Sequence, residues 1–246
     1  MILSVLQNIK IEDGALLLIN KPLRWTSFDV INKLKYEIRK YSSQKKFKIG
    51  HAGTLDPLAT GLLIVCVGNL TKKINNFQNL NKRYTAIFTL GAVTQSYDLE
   101  HPPINFRSYE NIRLEDIERT CKQLTGTLHQ IPPIYSAIKV QGKSAFEYAR
   151  KDKDIQLTPK EITVFSFDIV RFNPPDVEVN ICCSKGTYIR SLARDLGELL
   201  GCGAYIKALH RTHIGSFSVD DAYDINPLIS ETKSFEKSYK KKNFEL

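Results

Sequence analysis

Five apolar residues, Ala15 to Ile19, end abruptly at Asn20-Lys21-Pro22, which predicts a short buried strand. The stretch Thr26-Ser27-Phe28-Asp29 has the spacing of a helix-capping pair, and Val30, Ile31, Leu34 and Ile38 then recur at helical spacing. An amphipathic helix is predicted there. Its other face and the loop beyond carry Lys33, Lys35, Arg39, Lys40, Lys45, Lys46 and Lys48. Leu62 to Val67, bounded by Gly61 and Gly68, reads as a second buried strand, and Tyr84 to Leu90 as a third, followed by a polar loop from Gly91 to Pro103. Leu114, Ile117, Cys121 and Leu124 mark the core face of a helix that Gly126 can end. Past Ile131-Pro132-Pro133, a short helix is predicted over Ser144 to Arg150. Ile162 to Phe172 and Val177 to Cys183 flank the turn Asn173-Pro174-Pro175-Asp176 and make an antiparallel pair. The polar Ser184-Lys185-Gly186-Thr187 opens a helix with Ile189, Leu192, Leu196 and Leu199 on one face and Tyr188, Arg190 and Arg194 off that stripe. Ala204 to Leu209 and Ile214 to Val219 read as two last strands. Residues 1–13 show no pattern, and from Asn226 onward the pattern fades into the lysines 233, 237, 240, 241 and 242. Without strict strand-helix alternation, the fold class is α+β with a mixed, largely antiparallel sheet.

Between the first helix and the second strand lies Gly50-His-Ala-Gly-Thr-Leu-Asp-Pro-Leu-Ala-Thr-Gly61, which holds a lone carboxylate, Asp56. Pro57 pushes the residue before it toward extended geometry, and the glycines allow backbone angles closed to other residues. Such a loop can aim a reactive carboxylate in one direction. The same composition also serves simple turns, so the loop by itself does not decide. It lacks the Gly-Lys-Ser/Thr ending of a phosphate-binding loop. Arg190 and Arg194, near a helix start, could meet a phosphate or a carboxylate, or could simply be exposed.

Composition narrows the partners. Of 246 residues, 35 are Lys or Arg and 26 Asp or Glu, a formal charge of +9 that favours a polyanion such as nucleic acid. The five cysteines, Cys66, Cys121, Cys182, Cys183 and Cys202, include no Cys-x-x-Cys pair, which fits reduced core thiols in a cytoplasmic protein. Neither a membrane-spanning run nor a signal peptide is read at the N-terminus.

Six stretches, in order, carry a resemblance. They are Ile19-Asn-Lys-Pro22 with Thr26-Ser27; Gly50 to Gly61; Lys82-Arg-Tyr84; Ile131-Pro-Pro-Ile-Tyr-Ser-Ala137; Gln141-Gly-Lys143; and Cys183-Ser-Lys-Gly-Thr-Tyr-Ile-Arg190. Together they resemble the TruB-type tRNA pseudouridine synthases, which isomerise the uridine at position 55, in the TΨC loop. The resemblance implies a pseudouridine synthase fold with an RNA-binding cleft, a catalytic domain over residues 1–220, and a basic tail over 221–246 in place of a full PUA domain. It implies no metal, no organic cofactor and no membrane, and a monomer acting on the T-arm stem-loop of tRNA.

Residue by residue, Asp56 matches the family's catalytic aspartate, acting on carbon directly or by removing a sugar proton. Arg190 resembles the arginine that pairs with it. Tyr84 matches the tyrosine that stacks on uracil and assists loss of the C5 proton. Tyr188 and Leu209 resemble positions that wall the pocket. His51 matches a residue that enters the RNA loop, and Lys21 falls in the family's first motif, among the substrate-binding positions but in a supporting role. The stretch Thr94-Gln95-Ser96-Tyr97-Asp98 departs from the more acidic family version and receives no catalytic role. A non-catalytic tRNA-binding or folding protein on the same fold, and a guide-RNA-dependent synthase, are the rival readings.

Overall fold

A computed structural model describes residues 2–136, 138–140, 143–149 and 157–230. The lysines expected to form a basic tail, with Gln141, Gly142 and Arg150, lie outside the described residues. The chain divides into two compact units, Met1–Gln78 with Ser216–Leu246, and Asn79–Gly215.

The first unit runs α1 (Ile2–Gln7), β1 (Ala15–Lys21), α2 (Ser27–Tyr41), β2 (Ile49–His51), β3 (Ala59–Val67), a 3-10 turn over Gly68–Lys73 and α3 (Ile74–Gln78). Strand β3 pairs antiparallel with both β1 and β2, and the two-residue strand Tyr223–Asp224 adds to β1 in parallel. The capping pair forms as its spacing predicts. The Thr26 hydroxyl accepts from the Asp29 N–H at 3.0 Å, and the Asp29 carboxylate accepts from the Thr26 N–H at 2.9 Å. Leu17 and Ile19 of β1 and Leu63, Val65 and Val67 of β3 face Val30, Ile31, Leu34 and Ile38 in one buried cluster. Burying each of these side chains contributes about 1.5–3 kcal/mol, and together they fix where β2 and β3 hold the loop between them.

Three features of this unit depart from the pattern-based reading. Helix α1 occupies the stretch that showed no pattern. It is one and a half turns long, and only Ile2 and Leu6 are buried, too few positions to reveal a period. Ile225 and Leu228 also join the core, so the pattern extends to the helix Asn226–Ser230. Finally, the basic face of α2 is smaller than it reads. Lys33 is buried against Glu37 at 3.0 Å, and Lys40 meets the same carboxylate at 2.8 Å. Burial alone would raise the Glu37 carboxyl, but the hydrogen bonds and charges of Lys40 and Lys33 outweigh it and hold it below its ordinary value. Arg39 and Lys45 donate to each other's backbone carbonyls.

The second unit contains β4 (Lys82–Leu90), α4 (Leu114–Gln123), β5 (Gly126–Gln130), a ribbon of β6 (Lys139–Val140) and β7 (Lys143–Ser144), α5 (Ala145–Ala149), β8 (Lys160–Asn173), β9 (Asp176–Cys183), α6 (Ile189–Leu199) and β10 (Ala204–Ile214). Its main sheet has the order β10-β4-β9-β8-β5, antiparallel throughout. The expected hairpin around Pro174-Pro175 forms with Asn173 opposite Asp176. Of the two last strands expected, the first runs on to Ile214 as β10, paired along β4, and the second is only the two-residue strand Phe217–Ser218. Register shifts between Ile206 and Ala208 and between Arg211 and His213 break the alternation of β10. Leu114 and Leu199, expected in the core, are 40% and 54% exposed, because each sits at a helix end that has run past the core it packs on. Helix α6 comes so close to the start of β10 that a Cβ on Gly197 would lie 2.1 Å from the Ala204 nitrogen. Only glycine fits there.

Four of the five cysteines are buried and all are free thiols. Burial pushes Cys66 up to about 11 and Cys121 and Cys183 up to about 12, so they are protonated core residues.

Candidate active site

Asp56 is half-buried in the loop that joins β2 to β3. The backbone on each side of it is anchored from a distance. At Leu55, the Ser27 hydroxyl accepts from the N–H at 2.9 Å and donates to the carbonyl at 3.2 Å. At Pro57, the carbonyl accepts from the Arg24 N–H at 2.8 Å and from the Lys21 ammonium at 3.4 Å. Arg24 itself takes φ of +65°, a left-handed conformation that non-glycine residues adopt only under local constraint. The Asp56 carbonyl then accepts from the Ala59 N–H at 3.1 Å, closing the turn. Gly53 at φ +112° and Gly61 at φ +104° supply backbone angles that a side chain would forbid. The carboxylate therefore projects from a backbone whose course is set by residues around thirty positions earlier in the chain.

Lys21 is completely buried, and its ammonium donates to the carbonyls of Pro22 at 3.0 Å, Trp25 at 2.5 Å and Pro57 at 3.4 Å. This geometry fits a residue that shapes the loop better than one that touches a substrate. His51 is the last residue of β2, opposite Val65, and is half-buried rather than loose in a glycine loop.

The other nominated residues lie in the second unit. Tyr84 stands opposite Arg211 on β10 and Ile181 on β9, and Leu209 stands opposite Ala86 two residues along. Opposed residues of antiparallel strands share a face, as do residues two apart, so Tyr84, Leu209 and Arg211 line the same side of the sheet. Tyr188 immediately precedes α6, and its backbone is gripped at both ends by the buried Gln130 side chain. The Tyr188 N–H donates to Gln130 Oε1 at 2.8 Å, and Gln130 Nε2 donates to the Tyr188 carbonyl at 3.1 Å. Ser191 adds a bond to the Ile131 carbonyl at 2.9 Å.

Arg190 is only 4% exposed, so it is not a loose surface arginine. Its guanidinium donates to the carbonyls of Ser96 at 3.1 Å and Tyr135 at 2.9 Å, and its Nε lies 3.8 Å from the Asp98 carboxylate. Asp98 is itself buried and accepts from the Glu100 N–H at 3.0 Å. The carboxylate that the sequence reading left without a role is thus the ion partner of Arg190 within this unit. Ser27, Gln130 and Asp98 are the positioning groups that sequence reasoning missed. Their bonds span 28, 58 and 92 positions, and only the Ile131-Pro132-Pro133 and Ser184 to Thr187 turns hinted that those segments meet.

Lys82, two residues before Tyr84 and on the same face, is buried and donates to the Leu80 carbonyl at 2.6 Å. Burial, with the Arg211 charge added, lowers its pKa to about 8 from an ordinary 10.5. Below about pH 8 the folded and unfolded chains are both protonated, and the penalty for burying the charge is fully present. Between about 8 and 10.5 the unfolded chain binds more protons, so this residue's penalty falls as pH rises. Against Lys82→Met, the stability deficit of the unsubstituted chain is expected to shrink steadily from pH 8 to 10. Urea unfolding of both proteins at three pH values checks this, and a constant difference would contradict it.

Among the described residues, no group of three or more His, Cys, Asp or Glu side chains is placed to hold a metal ion. No helix among them is long and apolar enough to cross a membrane.

Comparison with known proteins gives this geometry its context. The model for the TruB family pseudouridylate synthase N-terminal domain matches residues 39–189, more than half the chain. The chain belongs to the TruB family. A second model, for the tRNA pseudouridylate synthase B C-terminal domain, matches residues 190–243. A relative named tRNA pseudouridine synthase B from Flavobacterium johnsoniae is 48% identical over 214 residues, which are 87% of this chain and 93% of the relative. One of the same name from Parabacteroides distasonis is 46% identical over 207 residues, covering 84% and 88%. Among solved structures, a chain of a Cbf5-Nop10-Gar1 complex has a TM-score of 0.67 at 24% identity. That match covers 93% of this TruB-family chain but 57% of the solved one, and it supports the pseudouridine synthase fold alone.

Proposed function

We propose that this TruB-family chain converts the uridine at position 55, in the T-arm of tRNA, to pseudouridine. It works as a monomeric cytoplasmic enzyme without a metal or an organic cofactor. Membership of a family of tRNA-modifying isomerases supports the reaction class. The observation that carries the chemistry is Asp56, a carboxylate whose backbone is anchored at both neighbours.

The reaction breaks the bond from C1' to N1, turns the uracil while it is held, and joins C5 to C1'. The proton lost from C5 balances the one gained at N1, so no other reactant enters. Asp56 serves by attacking carbon or by taking a sugar proton, and both roles require the ionised carboxylate. Tyr84 stacks on the uracil and assists removal of the C5 proton. Arg190 acts with them as a charged donor, and Tyr188 and Leu209 shape the surface around the base. A uridine within a folded T-loop must leave its stack before chemistry, and His51 takes the vacated place. Lys21 acts as a positioning residue through the Pro57 carbonyl.

Transcribed tRNA labelled with tritium at uridine C5 tests the reaction. The purified protein is expected to release one tritium per tRNA, and none when position 55 is cytidine. Binding without release would favour the non-catalytic alternative. Activity on an isolated T-arm stem-loop separates this enzyme from a guide-dependent one.

Ser27 supplies a second test. Ser27→Ala leaves the buried Leu55 N–H and carbonyl without their side-chain partner, a cost of about 1–3 kcal/mol if it is borne in the transition state. The single-turnover rate is expected to fall about 10- to 100-fold, with tRNA affinity within about twofold of the original. An affinity loss at unchanged rate would assign Ser27 to binding instead.

A further inference from the structure

Arg190 and Arg194 stand one helical turn apart on α6, and their guanidinium groups reach the same two segments of the second unit. Arg190 donates to the Ser96 and Tyr135 carbonyls. Arg194 places its Cζ 5.3 Å from the centre of the Tyr97 ring and donates to the Ile131 carbonyl at 3.3 Å. The Arg194 side chain is 13% exposed, and Asp195 accepts from it twice, at 2.8 Å and 2.6 Å. A carboxylate this close already balances its charge, which makes Arg194 a poor anchor for a phosphate. Tyr97, on which it rests, lies between the two groups that Arg190 uses: the Ser96 carbonyl precedes it and the Asp98 carboxylate follows it. Tyr97 has φ of +62°, a left-handed angle that a residue with a Cβ keeps only where its surroundings hold it. Its N–H donates to the Thr94 carbonyl at 3.2 Å, and its carbonyl accepts from the Ile206 N–H at 2.9 Å. The Thr94 hydroxyl closes the turn by donating to the Asp98 carbonyl at 2.7 Å. To these backbone bonds Arg194 adds a grip on the side chain, since a cation is attracted to an aromatic face.

We propose that Arg194 is a positioning residue, which by clamping Tyr97 keeps the Ser96 carbonyl and the Asp98 carboxylate aimed at Arg190. The proposal rests on the reading of Arg190 as part of the uridine-isomerising site and extends that site one turn along α6. Without the clamp the turn over residues 94–98 relaxes from its left-handed angle, and both acceptors move together. The Arg190 guanidinium then loses the orientation they set. A misplacement of about 1 Å in a group that acts by geometry costs up to about 10²-fold in rate. Arg194 therefore acts on the chemical step through Arg190, and not on the affinity for tRNA.

Single-turnover tritium release and tRNA affinity are measured for Arg194→Gln, Arg194→Lys, Tyr97→Ala and Arg194→Gln/Tyr97→Ala. Arg194→Gln is expected to slow release at least about tenfold with affinity within about twofold of the original. Lysine keeps a cation over the ring, so Arg194→Lys should recover the rate to within about threefold. Tyr97→Ala should slow release comparably, and the double variant should be no more than about twofold slower than the slower single one, because both remove the same contact. Amide hydrogen exchange supplies a readout that needs no activity. In Arg194→Gln the Ile206 N–H, bonded to the Tyr97 carbonyl, is expected to exchange at least about tenfold faster, and by a larger factor than the amides of β9, whose exchange reports global unfolding. An unchanged release rate, a loss of affinity at unchanged rate, or single losses that multiply in the double variant would each overturn the proposal. Equal acceleration at Ile206 and β9 would also overturn it, since Arg194 would then serve stability alone. If the unsubstituted protein releases no tritium, the catalytic reading fails, and selective exchange at Ile206 still decides whether Arg194 holds Tyr97.

Discussion

Asp56→Asn is expected to lower the single-turnover rate of pseudouridine formation by about 10³-fold or more, with tRNA binding retained. Asparagine keeps the size and shape of the side chain but can neither form the sugar adduct nor accept the sugar proton. Both candidate routes therefore fail at the same atom. The backbone at position 56 is held through Leu55 and Pro57, so the substituted side chain still projects from the same place. Circular dichroism and tRNA binding measured beside the rate separate a chemical loss from a folding loss. A variant that kept full activity would remove Asp56 from the mechanism, and the search for the reacting group would have to start again.

The second large effect is on stability. Arg190→Leu is expected to lower the unfolding free energy by about 3 kcal/mol, because it takes the cation away from the buried Asp98 carboxylate and the donors away from two carbonyl groups. Removing one member of a buried ion pair costs more than the pair is worth, since the remaining charge keeps its desolvation penalty. The double variant Arg190→Leu/Asp98→Asn should therefore lose less than the sum of the single losses. Equilibrium urea unfolding of the four proteins measures this. Strict additivity would mean that the 3.8 Å approach carries no coupling. A loss of tRNA modification that exceeded the loss of folded protein would separate a role for Arg190 in chemistry from its role in the fold.

Much of the fold was legible because it follows local rules. The capping pair at Thr26 and Asp29, the all-apolar β3 and the Pro-Pro hairpin each declare themselves within a dozen residues. What escaped was either too short or non-local. Helix α1 offers only two buried positions, and β10 hides its period behind two bulges. Lys33 reads as a surface charge because its partner Glu37 lies on the same helix and nothing local reports that both are buried. The site divides the same way. A carboxylate before proline in a glycine loop is visible to inspection, and the family resemblance drew in Tyr84, Tyr188, Leu209 and Arg190. Ser27, Gln130 and Asp98 were invisible as anchors because each acts on backbone or charge far along the chain, where the identity of the residue says nothing about its contact.

The two-sided grip on Leu55 and Pro57 also bears on transplantation. A segment cut out as residues 50–61 would carry the carboxylate and the glycines but leave behind Ser27, Lys21 and Arg24, which hold its neighbours in place. Grafted onto another scaffold it would be an ordinary flexible turn. The smallest portable unit begins at β1 and ends with β3, and a designer borrowing this carboxylate must borrow that strand-helix-strand frame with it.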